Sequence, residues 1–191
     1  MALARRCSLA FVACALAALP ATLQAADPPL EITALEPMTG GAAFQGKAQA
    51  QTLLQFADYV NKHGGVRGRQ LKFNIYDTQG NPQIAVQFMN DAVAKKAVAV
   101  IGPAFAAECA AIAAVVKNGP VDYCTSPGYH PDNGSYVYSA GFSTLDLIDV
   151  MMRDLRERGL KKVALITSTD TTGQDGERGI DAALAQPANK D

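Results

Sequence analysis

The sequence predicts an α/β fold: a doubly wound parallel sheet followed by the start of a second α/β lobe. Three observations carry that prediction. Apolar runs of strand length alternate with amphipathic runs of helix length. A strand candidate such as 97–101 (AVAVI) is apolar without interruption, which suits a strand buried on both faces. One whole helix–strand–helix joint is also written out at 61–82, NKHGGVRGRQLKFNIYDTQGNP. There Gly64 and Gly65 fall where a helix end favours positive φ. Leu71, Phe73 and Ile75 alternate with polar residues at strand period. Asp77 closes the strand, and Asn81-Pro82 opens the next helix as cap and first-turn proline.

Composition narrows the class. The chain has 191 residues, 49% hydrophobic and 18% charged, enough apolar material for a buried core. Its formal net charge of −1 offers no basic face to nucleic acid.

Residues 1–25 read as a signal peptide. Arg5 and Arg6 supply the basic start, 7–19 the apolar run, and Leu23-Gln24-Ala25 a cleavage site. The apolar run is too short to span a bilayer. Phe11 and Val12 fit a lipoprotein site at Cys14 poorly, and the residues after Arg5-Arg6 match twin-arginine export weakly. Cleavage after Ala25 leaves 15 basic against 18 acidic residues, a formal charge of −3, since the leader holds two of the 17 basic residues. Cys7 and Cys14 leave with it. Cys109 and Cys124 remain, in an oxidising compartment. They form either a disulfide, worth roughly 3 kcal/mol for a loop of this length, or two buried thiols.

The first lobe is expected over 26–140. Its strands are 30–35, 71–76, 97–101 and 121–124, with a further extended piece at 136–140. Its helices are 44–62, 82–95 and 106–117. Ala50, Leu53, Leu54, Ala57 and Val60 form the inward face of the first helix. Ala85, Phe88, Met89, Ala92 and Val93 do so in the second. From 141 the pattern restarts. A helix at 144–158 turns Leu145, Ile148, Met152 and Leu155 inward, a buried strand follows at 162–167 (KVALIT), then a polar loop at 168–175 and a helix at 176–186. A sheet with one strand is not a domain, so 141–191 is expected to be an incomplete second lobe, from a truncated product, a frameshifted copy or an expressed fragment.

In open parallel sheets, ligands sit beyond the carboxyl ends of the strands. Those ends are the loops 36–45, 77–81, 102–107, 125–130 and 168–175. The helix N-termini there favour a carboxylate guest. Phe44, Phe105, Tyr129 and His130 are candidate walls; the alternative is core packing for each Phe and an exposed turn for Tyr129. Asp77 is either a functional acid or a brace for its loop. No phosphate loop, GxGxxG or G-x-S-x-G motif is present. His63 and His130 with Cys109 and Cys124 lack zinc spacing, and no motif supports Ser126 with His130 as nucleophile and base. No cofactor or metal is expected.

The order of short motifs resembles the leucine/isoleucine/valine-type periplasmic binding proteins, the type I solute-binding proteins of ABC importers. The matching pieces are PMTG with FQG (residues 37–40 and 44–46), NKHGGVRGRQL, YDTQGNPQIAV, VAVIGP, TSPGYHP and KKVALITSTDTTGQDG, together spanning roughly 31–179. NxxGGVxGRxL followed by DxxxxPxxA is the specific part; the other pieces are individually weak. The resemblance implies two lobes closing at a hinge on a small ligand, a periplasmic location and an inner-membrane ABC permease as partner. It implies that the loops after VIGP and after the SP pair hold a ligand carboxylate, through Ala106, Ala107, Gly128, Tyr129 and His130. It implies a side chain over the ligand near Phe44, and a second-lobe contact at Thr172.

This chain departs from that pattern. Ala106 and Ala107 lack the usual hydroxyls, Tyr129-His130 are bulky, and Thr172 stands where an aromatic is usual. An aromatic acid, an amide or another small carboxylate fits such a pocket as well as an amino acid. With most of a second lobe missing, the chain is expected to bind weakly and to be aggregation-prone or partly disordered past about residue 140. The competing readings are a ligand-sensing lobe of a regulator and a secreted α/β hydrolase fragment.

Overall fold

The computed structural model describes residues 27–139 and 141–190; the expected signal peptide lies outside them. Five parallel strands form one sheet: β1 (Leu30–Glu36), β2 (Leu71–Asp77), β3 (Ala99–Ile101), β4 (Val121–Cys124) and β5 (Val137–Ser139), in the order β2-β1-β3-β4-β5. β1 and β2 run in register from Leu30 opposite Leu71 to Glu36 opposite Asp77. The helices are α1 (Ala43–Lys62), α2 (Pro82–Ala94), α3 (Ala106–Ala113), α4 (Thr144–Glu157) and α5 (Thr171–Ala185).

The two faces of the sheet are covered from opposite sides, as double winding requires. α2 and α3 bring Ala85, Met89, Ala92, Cys109 and Ile112 onto Leu35, Val100, Cys124 and Val137. α1 brings Ala57 and Leu53 onto Leu71, Phe73, Leu30 and Ile32 of the other face. α2 starts as the sequence predicts, with Asn81 Oδ1 accepting from Gln83 N–H at 2.9 Å and proline in the first turn. Cys109 of α3 and Cys124 of β4 are joined in a disulfide, with Cα atoms 6.0 Å apart. No described helix is long and apolar enough to cross a membrane.

Several sequence expectations change. Leu54 and Val93 are exposed rather than inward, because each helix covers its sheet with a stripe narrower than its apolar content. In α4 only Ile148 is buried, and Leu145 is half exposed. α3 is shorter than expected, ending at Ala113. The largest change is at 162–167, which is not a strand. Val163 is 61% and Ile166 94% exposed. A strand is defined by a hydrogen-bonded neighbour, and among the described residues this run has none. α5 also begins five residues early, at Thr171, because Asp170 caps it by accepting from Gly173 N–H at 3.0 Å. The polar loop is correspondingly shorter.

An unpaired extended run is open to a protease. Limited trypsin digestion should therefore cut first after Lys161 or Lys162, leaving a resistant fragment that includes β1–β5. Mass spectrometry of the early products checks this, and first cuts within α2 or β4 would contradict it.

Candidate functional site

The strand order places a topological switch beside β1. The chain leaves β1 for β2 on one side, then returns to lay β3 on the other. Beyond the carboxyl ends of β1 and β3 lies a cleft of about 570 Å³, lined by Gly41, Ala42, Phe44, Gln45, Gln79, Gly80 and Phe105. A smaller cleft of about 210 Å³ adjoins it, sharing Gly80 and Phe105, and is closed on its far side by Asp170, Thr171 and Thr172 of the α5 start. Ala106 and Ala107 form the α3 side of this second cleft. Phe105 thus stands between the two spaces.

Local sequence explains the walls. Asp77 ends β2 and braces the β1 loop: Oδ1 accepts from the backbone N–H of Met38 at 2.8 Å, Thr39 at 3.2 Å and Gln79 at 2.9 Å, and Oδ2 accepts from the Thr39 hydroxyl at 2.6 Å. Burial raises its pKa, and the bonds from Thr39, Gln79 and Met38 outweigh that and hold it below the usual carboxylate range. Asp77 is a loop brace in this fold.

Helices α1 and α3 begin without a side-chain cap, at Ala42 and Phe105. The first-turn N–H groups of Phe44, Gln45, Ala106 and Ala107 have no protein acceptor among the described residues. Such groups carry the positive end of the helix dipole. No Lys or Arg lines either cleft.

Inside the lobe lies a feature that the sequence did not announce: buried carboxyl groups. Glu36, Glu108 and Asp122 are buried, at 1%, 0% and 0% exposure. Glu36 Oε2, both Glu108 oxygens and both Asp122 oxygens lack hydrogen-bond partners among the described residues. The Thr78 hydroxyl and the Phe105 N–H lie near Glu108 and temper its charge, yet neither closes to hydrogen-bond geometry. Desolvation, and then the Glu108 charge, push Glu36 up to about 8; desolvation alone pushes Asp122 up to about 8, and it raises Glu108 too. Period two along LEITALE puts Glu36 on the face of Ile32 and Ala34, which was the available signal.

The expected site residues divide into two sets. Phe44, Phe105, Ala106, Ala107 and Thr172 come together around the two clefts. Gly128 is buried against Thr172, its missing Cβ 3.3 Å from Thr172 Cγ2. Tyr129 packs against the larger core cluster, and His130 pairs with Asp175 of α5, Nε2 lying 3.1 Å from Oδ2. Neither lines a cleft. Ser126 is buried and no hydrogen bond joins it to His130. Gly41, Ala42, Gln45, Gln79, Gly80, Thr171 and Asp170 line the clefts without having been singled out, although all fall in the loops at strand carboxyl ends.

The lobe is doubly wound and has its crevice at the switch point, the place where open α/β sheets hold ligands. The chain belongs to the periplasmic binding protein family, whose model matches residues 29–187. It is 30% identical over 143 residues to the leucine-, isoleucine-, valine-, threonine- and alanine-binding protein of Pseudomonas aeruginosa, a match that takes in 75% of this chain and 38% of that one. The branched-chain amino acid transporter substrate-binding protein of Streptococcus pneumoniae, solved with isoleucine, superposes with a TM-score of 0.70 at 22% identity, covering 81% of this chain and 46% of that one. An ABC transporter solute-binding protein of R. palustris, solved with benzoate, gives 0.68 at 19% identity, covering 85% and 46%. The chain thus spans less than half the length of each of these relatives.

Proposed function

We propose that this chain captures a small carboxylate, amino acids among them, for an ABC importer. Capture takes place in the periplasm, and the solute is handed to an inner-membrane permease. One observation carries the reading: two helix N-termini without side-chain caps open at adjoining clefts on the switch point of the sheet. Unpartnered backbone N–H groups at such ends take a carboxylate without any basic side chain. The ligands of the relatives support this, since leucine, isoleucine and benzoate all carry a carboxylate. The chain covers 38% of its curated relative, so the transport role of a whole protein belongs to the proposal rather than to the fold. A second lobe beginning at about residue 141 is part of the same reading.

The test is calorimetric titration of the full chain with L-leucine, L-isoleucine, benzoate and hexanoate. At least one carboxylate should bind, and its amide should not. Phe105→Ala should weaken that ligand by about tenfold or more, as loss of a central aromatic contact does, with little change in melting temperature. Failure of all four compounds to bind overturns the reading.

A further inference from the structure

Two of the buried carboxyls are tied to the residues that open α3. Glu108 is the acidic residue of the first turn, and Phe105, Ala106 and Ala107 just before it line the smaller cleft. It stands three residues after the cap position at Phe105, from which a glutamate can reach back toward the first N–H of a helix. The Phe105 N–H and the Thr78 hydroxyl lie near its carboxyl. Glu36, at the end of β1, accepts the Thr78 N–H on its backbone carbonyl at 3.0 Å, and its carboxyl is close enough to Glu108 for their charges to repel. Among the described residues no Lys, Arg or His pairs with either acid. A ligand carboxylate at the start of α3 and an ionised Glu108 therefore draw on one positive helix end. Anions gathered there disfavour one another's charge.

We propose that Glu36 and Glu108 form a proton site coupled to capture: an anion settling at the start of α3 draws a proton from solvent onto the pair, and raising the pH lets the anion go. The inference rests on the carboxylate-capture reading above and adds what controls the same site. Desolvation, and then the Glu108 charge, push Glu36 up to about 8, and desolvation raises Glu108. A bound anion raises both further, so the protonated pair binds, and affinity is lost as pH climbs through their titration. The other groups packed around α3 do not supply this response. The one titratable residue of α2, Asp91, is exposed, and β3 carries none. On β2, Tyr76 packs its ring on Phe88, and Asp77 is held low by its hydrogen bonds to Thr39, Gln79 and Met38. On α5, Asp170 and Asp175 are also held low, by Ser168 and by His130 first among their partners, and stay ionised throughout. Burial raises Tyr129, away from neutrality. Asp122 of β4 is raised, but the register sets it level with Thr33, three residues back along the sheet from Glu36. His130, paired with Asp175, is separated by the experiment.

Proton uptake on binding can be read directly. The full chain is titrated by calorimetry with benzoate, hexanoate and L-isoleucine at about pH 7.5, in phosphate and in Tris, two buffers with different heats of ionisation. A compound that binds should give a buffer-dependent heat corresponding to uptake of part of a proton. Its affinity should fall about fivefold from about pH 6 to about pH 9, as follows when an anion moves a carboxyl near 8 up by about one unit. Glu36→Gln and Glu108→Gln keep the shape of each side chain and remove its charge. Each should cut the uptake by about half or more, and the double variant should abolish both the uptake and the pH dependence. Melting temperature reports whether each variant is folded; where one glutamine disturbs the fold, the other single variant carries the comparison. Asp122→Asn and His130→Gln should keep the uptake. Uptake that survives in the glutamine variants, or that disappears in Asp122→Asn or His130→Gln, overturns the inference. Binding with no uptake in the parent chain overturns it too and leaves the capture reading standing. Failure of all three compounds to bind the parent chain overturns the capture reading, and this inference with it.

Discussion

Stability of this protein should fall as pH rises from 5 to 8.5. Glu36 and Asp122 are buried, and both carboxyls are pushed up to about 8 from ordinary values of 4.5 and 3.8. Between those limits the folded chain binds more protons than the unfolded chain, so each unit of pH removes stability. Their contribution is full below about pH 4 and is lost as pH climbs through about 8. The limiting slope is about 1.4 kcal/mol per pH unit for each group. With some relaxation of the folded state, a loss on the order of 3 kcal/mol is expected between pH 5 and 8. For a domain of this size that lowers the melting temperature by roughly 6–12 °C. The carboxylates held low, Glu31, Asp77, Asp170 and Asp175, act in the opposite sense, and only at acid pH. Glu36→Gln and Asp122→Asn should each flatten the profile and raise stability at pH 8. A melting temperature that is constant or rising from pH 5 to 8 would sink this account.

The second large effect is Gly102→Ala. Gly102 follows β3 at the turn into the cleft, with φ of +89° and its N–H donated to the Tyr123 carbonyl at 2.9 Å. A Cβ at this position would collide with the Leu35 carbonyl oxygen of β1. The strain is therefore twofold: a left-handed backbone, and a clash against backbone that cannot yield without parting β1 from β3. The expected cost is about 3 kcal/mol or more in denaturant unfolding, with loss of ligand binding because the switch point opens. Gly134→Ala is the comparison. Its φ is +81° and its missing Cβ meets nothing within 4 Å, so it carries only the backbone cost, about 1 kcal/mol. Equal losses at the two positions would show that the close approach of β1 and β3 is not what Gly102 serves.

The fold was legible wherever local signals and tertiary packing agreed. Asn81-Pro82 starts α2 as written, because a cap and a first-turn proline act within one turn. The run at 162–167 misled, because apolar β-branched residues specify a strand only when a neighbour supplies the hydrogen bonds. Of the site, the loops were legible and the individual residues were partly so. Phe44 and Phe105 were found as aromatics in loops at strand ends. Tyr129 and His130 came from the same reasoning, but one turns to the core and the other to Asp175. That orientation depends on α5, which the sequence placed five residues late. The cleft glycines and Gln79 carry no chemical signature of their own.

The order of strands has a consequence for synthesis. β1, first in sequence, lies inside the sheet, with β2 on one edge and β3 on the other, and β4 and β5 follow outward. Each strand after the first therefore pairs with one that has already been made. A chain emerging from a ribosome or an export channel holds only one such edge open across an intervening strand, the side of β1 that waits for β3. Closures join strands adjacent in sequence except that of β1 with β3, which sets Thr33 opposite Val100 across β2 and α2 and, as a non-local pairing, is the slow step to form. From β3 onward the growing sheet has one fixed edge, at β2, and one that advances with the chain, so the edge open to mispairing there is the strand most recently laid down.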